Sequence, residues 1–235
     1  MTAAAPLTFS FADPEELADS LATSVAAHLN RRLADREEAS LVVSGGSTPG
    51  PLFQRLAGME LPWERVVITL ADERWVAPNH EASNERLVRF LLLQDKASRA
   101  AFVPLKNKAL TARAGADECC RSLARIRRPW TVVLLGMGLD GHTASLIPGA
   151  ADLGRAMDPD ADRDCLAIAP RHAPFERITL TLSALLRSEQ IFLHLTGRDK
   201  KRVLRQAMAA GPAAEMPVRA ILRQRQTPVH IYWSP

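Results

Sequence analysis

What this chain has little of narrows its function before any motif is read. Aromatic residues make up 5% of it, with a single tyrosine. Proteins that grip nucleic acid interleave aromatics with a concentrated basic face. Here 30 Lys and Arg against 26 Asp and Glu leave a net charge of only +4, and the cations are mostly arginines spread along the chain. They gather only around 121–128 and 198–205, which reads as solvated helix faces with a few anion contacts, so no nucleic-acid partner is expected. Cysteine is scarce too: Cys119, Cys120 and Cys165 are odd in number, two of them adjacent, with no C-x-x-C spacing. That argues against a disulfide framework and against a zinc site, and it fits a reducing, cytoplasmic setting. No apolar run approaches the length of a membrane span, and the first twelve residues have neither the basic start nor the apolar stretch of a secretory signal. No membrane partner is expected. The cluster Ser44-Gly45-Gly46-Ser47-Thr48 is neither a Walker A loop nor a G-x-G-x-x-G fingerprint, which disfavours nucleotide binding there. The window Gly45-Gly46-Ser47-Thr48-Pro49 lacks the closing glycine of a serine-hydrolase elbow.

What is present is an ordinary globular composition, 47% hydrophobic and 24% charged over 235 residues, enough to bury a sizeable core. Asp13-Pro14-Glu15-Glu16 is a helix start, with Asp as the cap and Pro in the first turn. Leu17, Leu21, Val25, Leu29 and Leu33 then repeat every four residues, so an amphipathic helix is expected to about Asp35. Strand-like runs follow at Leu41-Val42-Val43, Val66-Val67-Ile68-Thr69-Leu70, Trp130-Thr131-Val132-Val133-Leu134-Leu135 and Leu166-Ala167-Ile168. Further runs lie at Ile178-Thr179-Leu180-Thr181-Leu182, Ile191-Phe192-Leu193-His194-Leu195 and Val229-His230-Ile231-Tyr232-Trp233. Helical patterns at 49–56, 83–93, 112–127, 199–210 and 216–223 separate most of them. The alternation predicts an α/β fold, a doubly wound, mostly parallel sheet with helices on both faces (Rossmann-like). No linker or break in composition divides the chain, so residues 1–235 read as a single domain, with 149–164 a surface excursion.

Four polar clusters each follow a predicted strand: Ser44-Gly45-Gly46-Ser47-Thr48, Asp72-Glu73-Arg74, Asp140-Gly141-His142 and Gly197-Arg198-Asp199-Lys200. Parallel strands would release all four on one edge, where open α/β sheets bind ligands. The first cluster precedes a helix opened by Pro49. Its glycines admit close backbone approach and the helix N-terminus favours negative charge, so it reads as a phosphate cradle, with a plain turn as the alternative. Lys200 is either a phosphate clamp or a solvated lysine. Asp72-Glu73-Arg74 alone would suit a surface salt-bridge cluster. The turn Gly136-Met137-Gly138-Leu139-Asp140-Gly141-His142 places a carboxylate beside a histidine at a strand end, the pairing general-base chemistry requires. His28, His172, His194 and His230 lack such surroundings and read as structural or exposed. Asp140 and His142 have no third ligand at recognisable spacing, so no metal is expected.

Together these motifs resemble the 6-phosphogluconolactonase family. The resemblance is carried by Ser44-Gly45-Gly46-Ser47-Thr48-Pro49, by Asp72-Glu73-Arg74-Trp75-Val76 with His80 and Ser83-Asn84, and by Gly136-Met137-Gly138 with Asp140-Gly141-His142-Thr143-Ala144-Ser145-Leu146. Arg177-Ile178-Thr179-Leu180-Thr181 and Gly197 with Lys200 complete it, in family order across roughly residues 40 to 205. The related glucosamine-6-phosphate deaminases share the Asp-Gly-His loop but carry Tyr where this chain has Arg74 and Glu where it has Ile147. Departures from the lactonase pattern are Leu139 for a commonly acidic residue, Ala77 for Pro, Gly50 for Lys, and Pro170-Arg171-His172-Ala173-Pro174 for Pro-Lys-Pro-Pro.

The resemblance implies hydrolysis of 6-phospho-D-glucono-1,5-lactone to 6-phosphogluconate, with the sugar-phosphate lactone as the small-molecule partner and no cofactor. On that reading His142 takes a proton from water and returns it to the leaving ring oxygen, while Asp140 orients the imidazole. Backbone N–H groups of the glycine turn, aided by Arg74, would meet the oxyanion. Gly45, Gly46, Ser47, Thr48, Arg171 and Lys200 are the phosphate candidates, joined by Arg177 on its family match. Asp72 is expected to contact sugar hydroxyls or to hold Arg74. An amino-sugar-phosphate deaminase or isomerase and a non-catalytic phosphosugar-binding module are the competing readings. A monomer or weak homodimer is expected.

Overall fold

A computed structural model of the chain describes residues 5–170 and 174–235. In chain order the elements are β1 (Leu7–Ser10), α1 (Pro14–Asp35), β2 (Ala39–Val43), α2 (Gly50–Gly58), β3 (Val66–Leu70), β4 (Asp72–Arg74), α3 (Asn84–Leu91), β5 (Ala101–Val103) and α4 (Ala112–Leu123). They continue with β6 (Trp130–Leu135), α5 (Leu153–Ala156), β7 (Cys165–Ile168), β8 (Arg177–Leu180), α6 (Leu182–Leu186), β9 (Ser188–Thr196), α7 (Arg198–Met208), α8 (Val218–Arg223) and β10 (Val229–Ser234).

Local chemistry accounts for the main elements. The Asp13 carboxylate accepts from the N–H groups of Glu15 and Glu16 at 3.0 and 2.9 Å, which starts α1. The stripe Leu17, Leu21, Val25, Leu29 and Leu33 is buried throughout, each side chain contributing about 2 kcal/mol of hydrophobic stabilisation. Every residue of β2 and β6 is buried, so the central strands are covered on both faces, as their unbroken apolar runs require. α1 lies across β2, β6 and β10, and α7 lies against β9.

Seven strands form one wholly parallel sheet in the order β1-β10-β9-β6-β2-β3-β5. From β2 the chain builds outward through β3 and β5; from β6 it builds the other way through β9 and β10. The order therefore reverses between β2 and β6, which places a crevice at their carboxyl ends.

The structure departs from the sequence reading in several places. The strands around 166–168 and 178–182 are not part of the parallel sheet: β7, β8 and β4 make a second, antiparallel sheet in the order β4-β8-β7. β8 stops at Leu180 because the Thr181 hydroxyl accepts the Ala184 N–H at 3.1 Å and opens α6. Asp72-Glu73-Arg74 is itself a strand, not a loop. Residues 149–164 are more than a surface excursion, since Ala150, Leu153 and Ala156 join the buried core around α5. Ala71 links the two sheets: its N–H donates to the Val43 carbonyl and its own carbonyl accepts from Leu180 N–H, both at 2.8 Å.

Candidate active site

The segment after β2 approaches the crevice as a bare helix start. No side chain caps α2, so the N–H groups of its first turn have no side-chain acceptor and its positive end faces outward. Ser44, Gly45, Gly46, Ser47 and Thr48 line the hollow in front of it. Gly46 holds φ at +99°, a conformation that turns the loop and that other residues resist. An uncapped helix start behind a glycine turn is a place that favours negative charge.

After β6 the chain makes the glycine turn. His142 Nδ1 lies 2.6 Å from Asp140 Oδ1, and the same oxygen accepts the His142 N–H at 3.1 Å. Partial burial works against the Asp140 charge, but the hydrogen bonds and charge of His142 outweigh it and hold the carboxyl at about 2. The carboxylate therefore stays ionised and fixes the imidazole from one side. Gly138 is required by close approach: a Cβ there would meet the His142 ring at 2.2 Å and Asp140 Oδ1 at 2.5 Å. The turn holds itself together, Gly138 N–H donating to the His142 carbonyl at 2.8 Å and Gly141 N–H to the Gly138 carbonyl at 3.1 Å. Those bonds narrow one expectation. The N–H groups of Gly138, Gly141 and His142 are spent inside the turn, so these three are not left to meet an oxyanion. Lys200, in the first turn of α7, donates to the Met137 carbonyl at 2.5 Å. Burial lowers its pKa and nearby Asp140 opposes that, so Lys200 stands beside the glycine turn as well as the cavity.

The small sheet supplies the opposite wall. Asp72 accepts from Ser145 Oγ at 2.5 Å and from Asn84 Nδ2 at 3.3 Å, and lies 3.9 Å from Arg177. It is thus placed against Arg177, not Arg74. Arg74 donates instead to the Ala82 carbonyl at 2.6 Å. Burial works against the Arg177 charge, and Asp72 is its main support. Glu73 points the other way, fully buried, and accepts from Arg74 N–H, Ser83 Oγ, Asn84 N–H and Glu85 N–H at 2.7 to 2.9 Å. Burial pushes its carboxyl up while those donors resist. The triplet is therefore not a surface salt-bridge cluster: its middle residue caps α3 from within.

These walls enclose a cavity of about 220 Å³. It gathers Gly45, Gly46, Ser47, Thr48, Asp72, Arg74, His142, Arg177 and Lys200, with Asp140 bonded to His142 just behind. Arg171 lies outside the described residues. Three cations and one carboxylate line the described cavity, a balance that suits an anion. The Nε atoms of Arg74 and Arg177, Ser44 Oγ and His194 Nδ1, all in residues that line the cavity, are buried without a partner. Sequence reasoning passed over His194, which lines the cavity from β9, and Ser145, which steadies Asp72. His194 stands amid an apolar strand pattern and Ser145 in a loop, so neither signalled its neighbours. Among the described residues no cluster of three or more metal-binding side chains occurs, and no helix is long and apolar enough to cross a membrane.

The fold and the cavity define an α/β protein that brings an uncapped helix start and a carboxylate–histidine pair into one crevice. Residues 12–233 match the family model described as glucosamine-6-phosphate isomerases/6-phosphogluconolactonase, and the chain belongs to that family. It is 46% identical over 225 residues to a 6-phosphogluconolactonase of Rhizobium meliloti, covering 96% of this chain and 97% of that one. The crystal structure of a 6-phosphogluconolactonase from Shewanella baltica superposes with a TM-score of 0.96 at 48% identity, covering 100% of both chains. A monomeric glucosamine-6-phosphate deaminase shares the fold alone, with a TM-score of 0.73 at 16% identity over 96% of this chain and 97% of that one.

Proposed function

We propose that this chain hydrolyses 6-phospho-D-glucono-1,5-lactone to 6-phospho-D-gluconate, the ring-opening step of the oxidative pentose phosphate pathway. The observation that carries the reading is that the uncapped start of α2 and the Asp140–His142 pair open into one cavity. The substrate has two parts to match: a dianionic phosphate at one end and an electrophilic carbonyl at the other. The phosphate sits on Gly45, Gly46, Ser47 and Thr48 at the helix start, with Lys200, Arg177 and Arg171 as cationic partners. Its binding energy aligns the lactone for attack.

His142 removes a proton from water as the water oxygen attacks C1. The tetrahedral oxyanion collapses, the C1–O5 bond breaks, and the imidazolium returns its proton to the departing ring oxygen. Asp140 stabilises the cation that forms between the two transfers. With the N–H groups of Gly138, Gly141 and His142 committed inside the turn, the Arg74 guanidinium, which lines the cavity, is the donor for the oxyanion. Ester hydrolysis by an imidazole base needs no cofactor or metal, and the reading includes a cytoplasmic monomer or weak homodimer. The test is to generate the lactone in place from glucose 6-phosphate and its dehydrogenase and to follow acid release. Release well above spontaneous opening is expected, with no ammonia from glucosamine 6-phosphate. A rate equal to the spontaneous one would sink the reading.

A further inference from the structure

The three cysteines, which sequence spacing gave no reason to join, meet between α4 and β7. The Sγ atoms of Cys120 and Cys165 lie 3.2 Å apart although 45 residues separate them in the chain. A disulfide needs about 2.0 Å, so roughly 1 Å of closure would join them. Cys165 is fully buried and Cys120 is half-buried. Cys119, beside them, is committed elsewhere: its thiol donates to the Leu105 carbonyl at 2.6 Å. Arg163 approaches Cys120 Sγ to 3.9 Å and also lines a surface cavity of about 130 Å³ with Ala116, Asp117 and Leu166.

We propose that Cys120 and Cys165 are a reversible peroxide-oxidation site, with Cys120 as the reacting thiolate and Cys165 as the resolving thiol. The hydrogen bond from Cys165, aided by Arg163, draws the Cys120 thiol down to about 6 against the cost of burial. The Cys165 thiol is held protonated, its pKa raised by the neighbouring sulfurs and by burial. The Cys120 thiolate attacks one peroxide oxygen, the O–O bond breaks, and hydroxide leaves, taking up a proton as water. The Cys165 thiol then gives its proton to the sulfenic oxygen as its sulfur attacks the sulfenic sulfur, the S–O bond breaks, and a second water departs. Two thiols lose two electrons and two protons, and the peroxide is reduced to two waters. The bond staples α4 to β7, the outer strand of the sheet whose other strands carry Asp72, Arg74 and Arg177.

The test is disulfide mapping of the full chain, reduced, treated with hydrogen peroxide near pH 7, alkylated and digested with trypsin. Two of the three alkylatable thiols should be lost and regained with dithiothreitol. Residues 114–121 should be linked to residues 164–171, with fragmentation placing the alkyl label on Cys119. In Cys165→Ala the crosslink should vanish and dimedone should mark Cys120. A bond through Cys119, or alkylation of all three cysteines after peroxide, overturns the proposal. The wild-type map decides the matter even where Cys165→Ala fails to fold.

Discussion

The two sheets serve one crevice by opposite means. The parallel sheet contributes mostly backbone: a bare helix start after β2 and a self-bonded glycine turn after β6 that aims one histidine. The small antiparallel sheet contributes side chains, buried charges held by Ser145, Asn84, Ser83 and one another. A wall made of backbone tolerates many substitutions and fails at its glycines and its reacting group. A wall made of buried charges fails wherever one member is withdrawn, because the partners are left unpaired in a site that cannot hydrate them.

Removing the proposed base on the backbone side should have the largest effect. His142→Ala is expected to lower kcat by about 10² or more with little change in KM, read from lactone hydrolysis above the spontaneous rate. On the side-chain wall the damage should appear in stability. Glu73→Ala strands four buried donors and should cost about 3 kcal/mol in chemical denaturation, whereas Glu73→Gln, which keeps an acceptor oxygen, should cost roughly half as much. Equal losses for the two variants would mean that charge, not hydrogen bonding, holds this wall.

His194 sharpens the contrast, since it is a side chain buried without a bonded Nδ1 in the backbone-built half. Burial lowers its pKa from the usual 6.5 to about 4. The folded chain keeps the ring neutral while the unfolded chain protonates it, so this group disfavours folding as pH falls below about 6.5 and has its full effect below about 4. The loss should be about 3 kcal/mol, seen as a drop in unfolding free energy between pH 7 and pH 4 that His194→Leu flattens. Lys200→Ala should have the mildest effect, a KM about tenfold higher with kcat nearly unchanged. A kcat loss as large as that of His142→Ala would instead tie Lys200 to the dyad beside it.

Legibility followed the same divide. The apolar runs of β2, β3, β6, β9 and β10 announced the parallel sheet, and the glycine turns announced the loop before α2 and the Asp140–His142 pair. β1 escaped because all four of its residues are exposed, and β5 because it is a short edge strand. β4 escaped because Asp-Glu-Arg has no apolar alternation to read. The runs of β7 and β8 were visible, yet nothing local says whether a strand pairs parallel or antiparallel, or with which sheet. The roles of Glu73, Ser145 and His194 arise from contacts across 10, 73 and more residues, or from a cavity floor that exists only once β9 is in place.

Ala71 carries a consequence of its own. Because this one residue hands the chain from the first sheet to the second, strand alternation sends Asp72 and Arg74 toward the cavity and Glu73 inward. An insertion or deletion of one residue at this joint would exchange those directions, driving two opposite charges into the core and pulling the α3 cap out of it. The length of the connection, more than the identity of any residue in it, is therefore what lineage drift can least afford to alter.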